Sequence, residues 1–173
     1  VEESRRALTE ARATNGRAVV ADLLDLGSDG GGGGCGDGGG GGEGGGGESL
    51  RGDALDALRG AFDFAFDCQT YQCLRQADAA AAGAAVAALL RPGGTLLLLT
   101  GNADEPDERG PVRLTREQLE AGLAPAGLRL LECEPFHFDE TASYRRQAEE
   151  RGYARPPLGW RSVWRKVGTP TEQ

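Results

Sequence analysis

Residues 62–100 read FDFAFDCQTYQCLRQADAAAAGAAVAALLRPGGTLLLLT. Phe62, Phe64 and Phe66 recur at every second position, which predicts a β-strand that stops at Asp67. From Ala77 to Leu90 the chain is rich in alanine, the best helix former, and holds no proline. Arg91-Pro92-Gly93-Gly94 breaks that helix. Thr95 to Leu99 is then apolar at consecutive positions, so both faces ask for burial, as in a central strand of a covered sheet. A helical crossover between two strands lets them lie parallel. This one stretch therefore decides the class, which is α/β.

The same alternation extends outward in both directions. Downstream, Asn102 to Pro111 is polar and reads as a loop. Thr115 is an N-cap for a helix over Arg116–Leu123, with Glu117 and Gln118 suited to its first turn. Leu128–Leu131 is the next strand, Pro135–Pro157 is irregular with a helix over Ser143–Arg151, and Gly159–Val167 alternates as a final strand. Trp160 and Trp164 fall on one face of that strand and read as packing. Upstream, Glu3–Ala13 has helical spacing behind a Ser4 cap, Asn15-Gly16 ends it, and Arg17–Ala21 is a short strand. Leu50–Leu58 predicts a short helix. Strands alternating with helices imply a doubly wound, mostly parallel sheet covered on both faces. In such sheets a ligand lies beyond the carboxyl ends of the strands, which singles out Glu2, Asp22, Asp67 and Thr100.

Between Asp29 and Glu48 the chain reads DGGGGGCGDGGGGGEGGGGE, more than half of its 29 glycines. A phosphate-cradling loop needs few glycines at fixed places, with a lysine between a strand and a helix. This run has no cation and carries Asp29, Asp37, Glu43 and Glu48, which would repel phosphate. A tract without side chains buries almost nothing to offset the entropy of ordering it. Residues 27–49 are expected to be a Gly-rich, disordered insertion within one domain spanning 1–173.

A chain of 173 residues fits one domain. Its net charge of −8 argues against a general nucleic-acid or anionic-membrane binder. The longest aliphatic run is far too short to span a bilayer. Cys35, Cys68, Cys73 and Cys133 lack paired C-x-x-C spacing and only His137 could assist them, so no metal site is expected and four free thiols fit a cytoplasmic interior.

Several blocks together resemble a class I S-adenosylmethionine-dependent methyltransferase. Val1-Glu2-Glu3-Ser4 and RRALTEAR resemble the end of that family's second strand and its helix, and Ala21-Asp22-Leu23-Leu24-Asp25-Leu26 resembles the close of its third. Phe62 to Asp67 resembles the fourth-strand block F-D-x-V-x-D, and Leu89 to Leu96 the L-x-P-G-G-x-L turn into the fifth. FDCQTYQCLR, GPVRLTREQLE and GWRSVWRK are similar to the thiopurine, thiol and tellurite methyltransferase subgroup. The resemblance implies a Rossmann-like sheet with an antiparallel last strand, S-adenosylmethionine as cofactor and a small-molecule methyl acceptor. It implies that Glu2 accepts from the ribose hydroxyls, that Asp22 and the Leu23 amide meet the adenine, that Asp67 sits near the methionine portion, and that Tyr71 lines the acceptor pocket. Beside these roles stand plainer ones. Glu2 suits a helix start, Asp22 a turn, Asp67 the cap of the next turn and Tyr71 the core.

The family's acid-x-G-x-G-x-G motif is not found, and the glycine tract follows Asp22 on the wrong side of the third strand to replace it. The expectation is thus an N-terminally truncated domain lacking the first strand and most of the second. Two alternatives accompany it: a non-enzymatic remnant acting as a binding module, and a nucleotide-cofactor oxidoreductase on a similar sheet.

Overall fold

The computed structural model describes residues 56–108 and 112–168. The expected helix and strand before residue 27, the glycine tract and most of the Leu50–Leu58 helix lie outside them.

The opening stretch folds as its periodicity predicts. Strand β1 (Phe62–Cys68) leads through a short helix α1 (Tyr71–Leu74) into α2 (Ala79–Leu89) and then β2 (Leu90–Asn102). Asp78 caps α2, its side chain accepting from the Ala80 and Ala81 amides at 2.9 Å each, which starts the helix two residues later than the alanine run alone suggests. β1 and β2 pair in parallel, but the register jumps from Phe62↔Leu90 to Phe64↔Thr95. That jump is where the Pro-Gly-Gly break sits, with Gly93 at φ +79°, a left-handed conformation that favours glycine.

A two-residue strand β3 (Arg113–Leu114), between the expected loop and the Thr115 cap, pairs with the end of β2. Helix α3 (Arg116–Leu123) opens on a full capping box: Thr115 Oγ1 accepts from the Gln118 amide and Gln118 accepts from the Thr115 amide. Strand β4 (Leu128–His137) runs six residues further than the expected Leu128–Leu131 and continues through Pro135. β4 has a strand neighbour on one side only among the described residues, and an edge strand tolerates the missing N–H. Helix α4 (Ala142–Glu150) and strand β5 (Leu158–Lys166) complete the described chain.

The strand order is β1-β2-β5-β4, with β5 antiparallel to both of its neighbours. β1, β2 and β4 therefore run parallel, and the sheet is mixed α/β with the antiparallel last strand inserted between parallel ones. Helices α1–α3 pack on one face. Tyr71, Leu90, Leu96, Leu98, Leu114, Leu119, Leu123 and Trp164 form the core, all 0% exposed. Trp160 and Trp164 do share the core side, their indole N–H groups donating to the Leu114 carbonyl and Ser162 Oγ at 2.9 Å each. On the other face Phe64 and Phe66 stand 54% and 57% exposed.

Candidate functional site

Because β1, β2 and β4 are parallel, their carboxyl ends at Cys68, Asn102 and His137 share one edge of the sheet, together with the start of β5. Polar side chains gather there. Asp67 ends the alternating run of β1, and its carboxylate accepts from the Thr70 and Tyr71 amides at 3.2 Å. Those are the first amides of α1, so Asp67 caps the turn. Burial holds its carboxyl above the ordinary value, partly offset by the Tyr71 and Thr70 amides. Between them Gln69 takes φ +66°, uncommon for a residue with a side chain, and its amide donates to the Leu99 carbonyl at 2.8 Å. The turn is thus tied both to its own aspartate and to β2.

Gln72, on α1, reaches the end of β2: the Gly101 amide donates to Gln72 Oε1 at 2.5 Å. Asn102 Oδ1 accepts from the Asp104 amide at 2.8 Å. Glu105 accepts from the Leu158 amide at 2.6 Å and the Asp107 amide at 3.1 Å, joining the loop after β2 to the start of β5. Gln72 Nε2, Thr100 Oγ1 and Asn102 Nδ2 are buried without a hydrogen-bond partner. Unpaired buried polar atoms are uncommon and concentrate where a ligand, ion or water completes them.

Of the residues expected at the site, Asp67 and Thr100 come together at this edge. Glu2, Asp22 and Leu23 lie outside the described residues. Tyr71 is 0% exposed and its hydroxyl lies against Gly122 of α3, which is the core position rather than an open pocket wall. Cys68 is exposed, but burial of its sulfur and the Asp67 charge push its thiol up, opposite to an activated nucleophile. His137 is exposed at the end of β4. Among the described residues no three His, Cys, Asp or Glu side chains converge as metal ligands, and no helix is long and apolar enough to cross a membrane.

Gln72, Asn102 and Glu105 were not expected at the site. A polar Thr-Gly-Asn directly after a leucine run, at a strand end, is the signal that could have drawn attention to Asn102. Nothing local marks Gln72, whose partner is distant in sequence.

No family model matches the chain and no curated protein matches it. Solved structures do resemble it. A SAM-dependent methyltransferase of Methanosarcina mazei is 14% identical over 73% of this chain, with a TM-score of 0.48. A variant of the 16S rRNA (adenine(1408)-N(1))-methyltransferase of Catenulisporales acidiphilia, with cosubstrate SAM, is 19% identical over 70% of the chain at 0.48. The 1,6-didemethyltoxoflavin-N1-methyltransferase of Burkholderia thailandensis, with bound 1,6-didemethyltoxoflavin and S-adenosylhomocysteine, is 15% identical over 70% at 0.46. The chain spans 71% of the first of these, 62% of the second and 51% of the third. At such scores these are distant likenesses of fold, and they assign no activity, acceptor or partner to this chain.

Proposed function

We propose that the chain is part of an S-adenosylmethionine-dependent methyltransferase acting on a small molecule in the cytoplasm. The observation that carries this is the capped turn at the end of β1. There a half-buried Asp67, a left-handed Gln69 and orphaned polar groups on Gln72, Thr100 and Asn102 meet at the carboxyl edge of a parallel sheet. The donor set fits a polar, zwitterionic ligand end, since Asp67 offers an anionic acceptor and Gln72 and Asn102 offer unpaired N–H groups. When bound, S-adenosylmethionine supplies a methyl group on a sulfonium sulfur that departs with the bonding pair as a neutral thioether. The protein's share is to orient and to exclude water. Asp67 would favour the cofactor's positive charge, and the Gln72–Gly101 bond would hold the turn against β2. Glu2, Asp22 and the Leu23 amide are proposed for the ribose and adenine, on the strength of their motif matches alone.

The net charge of −8 speaks for a small acceptor over a nucleic acid. The test is calorimetric titration with S-adenosylhomocysteine. Asp22→Ala should weaken binding by about 1–3 kcal/mol, the cost of leaving a buried donor unpaired. Unchanged affinity would remove Asp22 from the site.

A further inference from the structure

Among the described residues β1 and β4 each have a strand neighbour on one side only. An open strand edge is a template for another chain unless charge, proline or a bulge blunts it. β4 carries all three. Arg129, Glu132 and Glu134 are exposed, Pro135 lacks a donor, and the strand bulges between Leu130 and Glu132. β1 is built differently. Its register slip against β2 runs from Phe62↔Leu90 to Phe64↔Thr95, so the extra residues lie in β2 and β1 stays regular. Its outer face holds Phe62, Phe64 and Phe66, 40%, 54% and 57% exposed. The Gln69 amide donates to the Leu99 carbonyl of β2. Backbone groups alternate in direction along a strand, so those of Ala65 and Asp67 turn to β2 and those of Phe64 and Phe66 turn to the open side.

The sequence of β1 is complementary to itself in one register. Paired antiparallel with a second copy about Phe64, it sets Phe64 against Phe64, Phe62 against Phe66 and Asp63 against Ala65. Every outer-face pair is then aromatic, a favourable cross-strand combination, and no acid faces an acid. Centring on Ala65 would set Asp63 against Asp67, centring on Asp63 would set it against itself, and centring on Phe66 would carry Phe62 past the end of the strand. Like charges directly opposite are destabilising. A two-fold pair of this kind uses the same patch on both chains and closes after two. With roughly 200 Å² for a phenylalanine, the three rings leave about 300 Å² open on each chain. Twice that area, with the strand backbones added, lies at the low end for a specific interface, so the pair is expected to separate on dilution.

We propose that the open edge of β1 is an interaction surface for a second copy of this chain, the two β1 strands pairing antiparallel about a two-fold axis at Phe64. Such a dimer does not depend on the methyl-transfer reading. The test is sedimentation equilibrium of the 173-residue chain over a dilution series. Wild type should pass from dimer to monomer as it is diluted. Phe64→Lys and Phe64→Glu each set like charges opposite one another at the axis, and each should weaken self-association at least about 100-fold with an unchanged far-ultraviolet circular dichroism spectrum. Mixed in equal amounts, the two variants should form a heterodimer, because the register about Phe64 sets residue 64 against residue 64. Recovery in the mixture also shows that each variant is folded. Leu131→Lys, at an exposed position on the opposite edge strand β4, should leave association unchanged. A wild type that stays monomeric at every concentration, as it would with a segment of residues 1–55 of the same chain seated on the edge, would overturn the proposal. So would a Phe64→Lys protein that still dimerises, a Lys and Glu mixture that stays monomeric, or loss of the dimer in Leu131→Lys.

Discussion

Gly122→Ala asks whether the packing of α3 governs the Asp67 turn. Alanine in place of glycine within a helix ordinarily gains about 1 kcal/mol. At Gly122 the new Cβ would fall well inside contact distance of the Tyr71 hydroxyl, and Tyr71, 0% exposed, is enclosed in the core. Overpacking of this kind costs about 1–3 kcal/mol, and a displaced Tyr71 also carries its amide away from Asp67. Set against the helix gain, overpacking alone leaves a net cost of about 0–2 kcal/mol, and the weakened Asp67 contact adds to it, so the sign should reverse with Gly122→Ala destabilising by about 1–2 kcal/mol. Tyr71→Phe alone should be close to neutral, since the hydroxyl is buried without a hydrogen-bond partner. With that hydroxyl gone, the next ring atom is 3.6 Å from the new Cβ, an ordinary contact. The double variant should then recover wild-type stability or exceed it, a coupling of at least about 1 kcal/mol. Urea unfolding followed by circular dichroism, at constant m-value, measures all three. A Gly122→Ala protein as stable as wild type, or a double variant no better than the sum of the singles, would refute the reasoning.

Asp67→Asn separates capping from charge. The folded pKa of Asp67 is raised chiefly by burial, so its contribution to stability is full below the unfolded value of about 3.9 and is lost as pH rises through the folded one. Asparagine keeps an acceptor oxygen for the Thr70 and Tyr71 amides and does not titrate. Its stability at neutral pH should match or exceed wild type, without that pH slope, while cofactor affinity falls; a loss above about 1 kcal/mol would show that the charge itself holds the turn. Deleting Gly30–Gly47 should change stability by no more than about 1.5 kcal/mol, since closure entropy varies slowly with loop length. Thermal unfolding that collapses on deletion would show that the tract is more than a spacer.

What could be read in the sequence follows the range of the forces involved. The β1–α2–β2 unit was legible because aromatic alternation, an alanine run and a Pro-Gly-Gly break are local. Thr115 was legible for the same reason, its capping box spanning three residues. Helix α1 was not, since it has four residues and its first amides are met by Asp67 from the strand before it. β4 was cut short at Leu131, ahead of the charged and proline-containing stretch Glu132–Pro135, and only the sheet order makes that stretch part of an edge strand. The strand-end rule located Asp67 and Thr100, but it could not distinguish a cap from a ligand group. Tyr71 is set in the core by the meeting of α2 and α3 at two glycines: a Cβ on Gly83 would strike the Gly122 carbonyl. The Gln72–Gly101 bond joins residues 29 apart, beyond any local pattern.

The central claim is that the carboxyl edge around Asp67 belongs to a site for S-adenosylmethionine. The most direct measurement is calorimetric binding of S-adenosylhomocysteine to the 173-residue chain, to its Asp67→Asn variant and to the longest translated form of the same reading frame. Saturable binding by the longest form, weakened in its Asp67→Asn counterpart at equal thermal stability, is the predicted result. A well-folded longest form that takes up no S-adenosylhomocysteine, or binds it equally with asparagine at position 67, would contradict the claim.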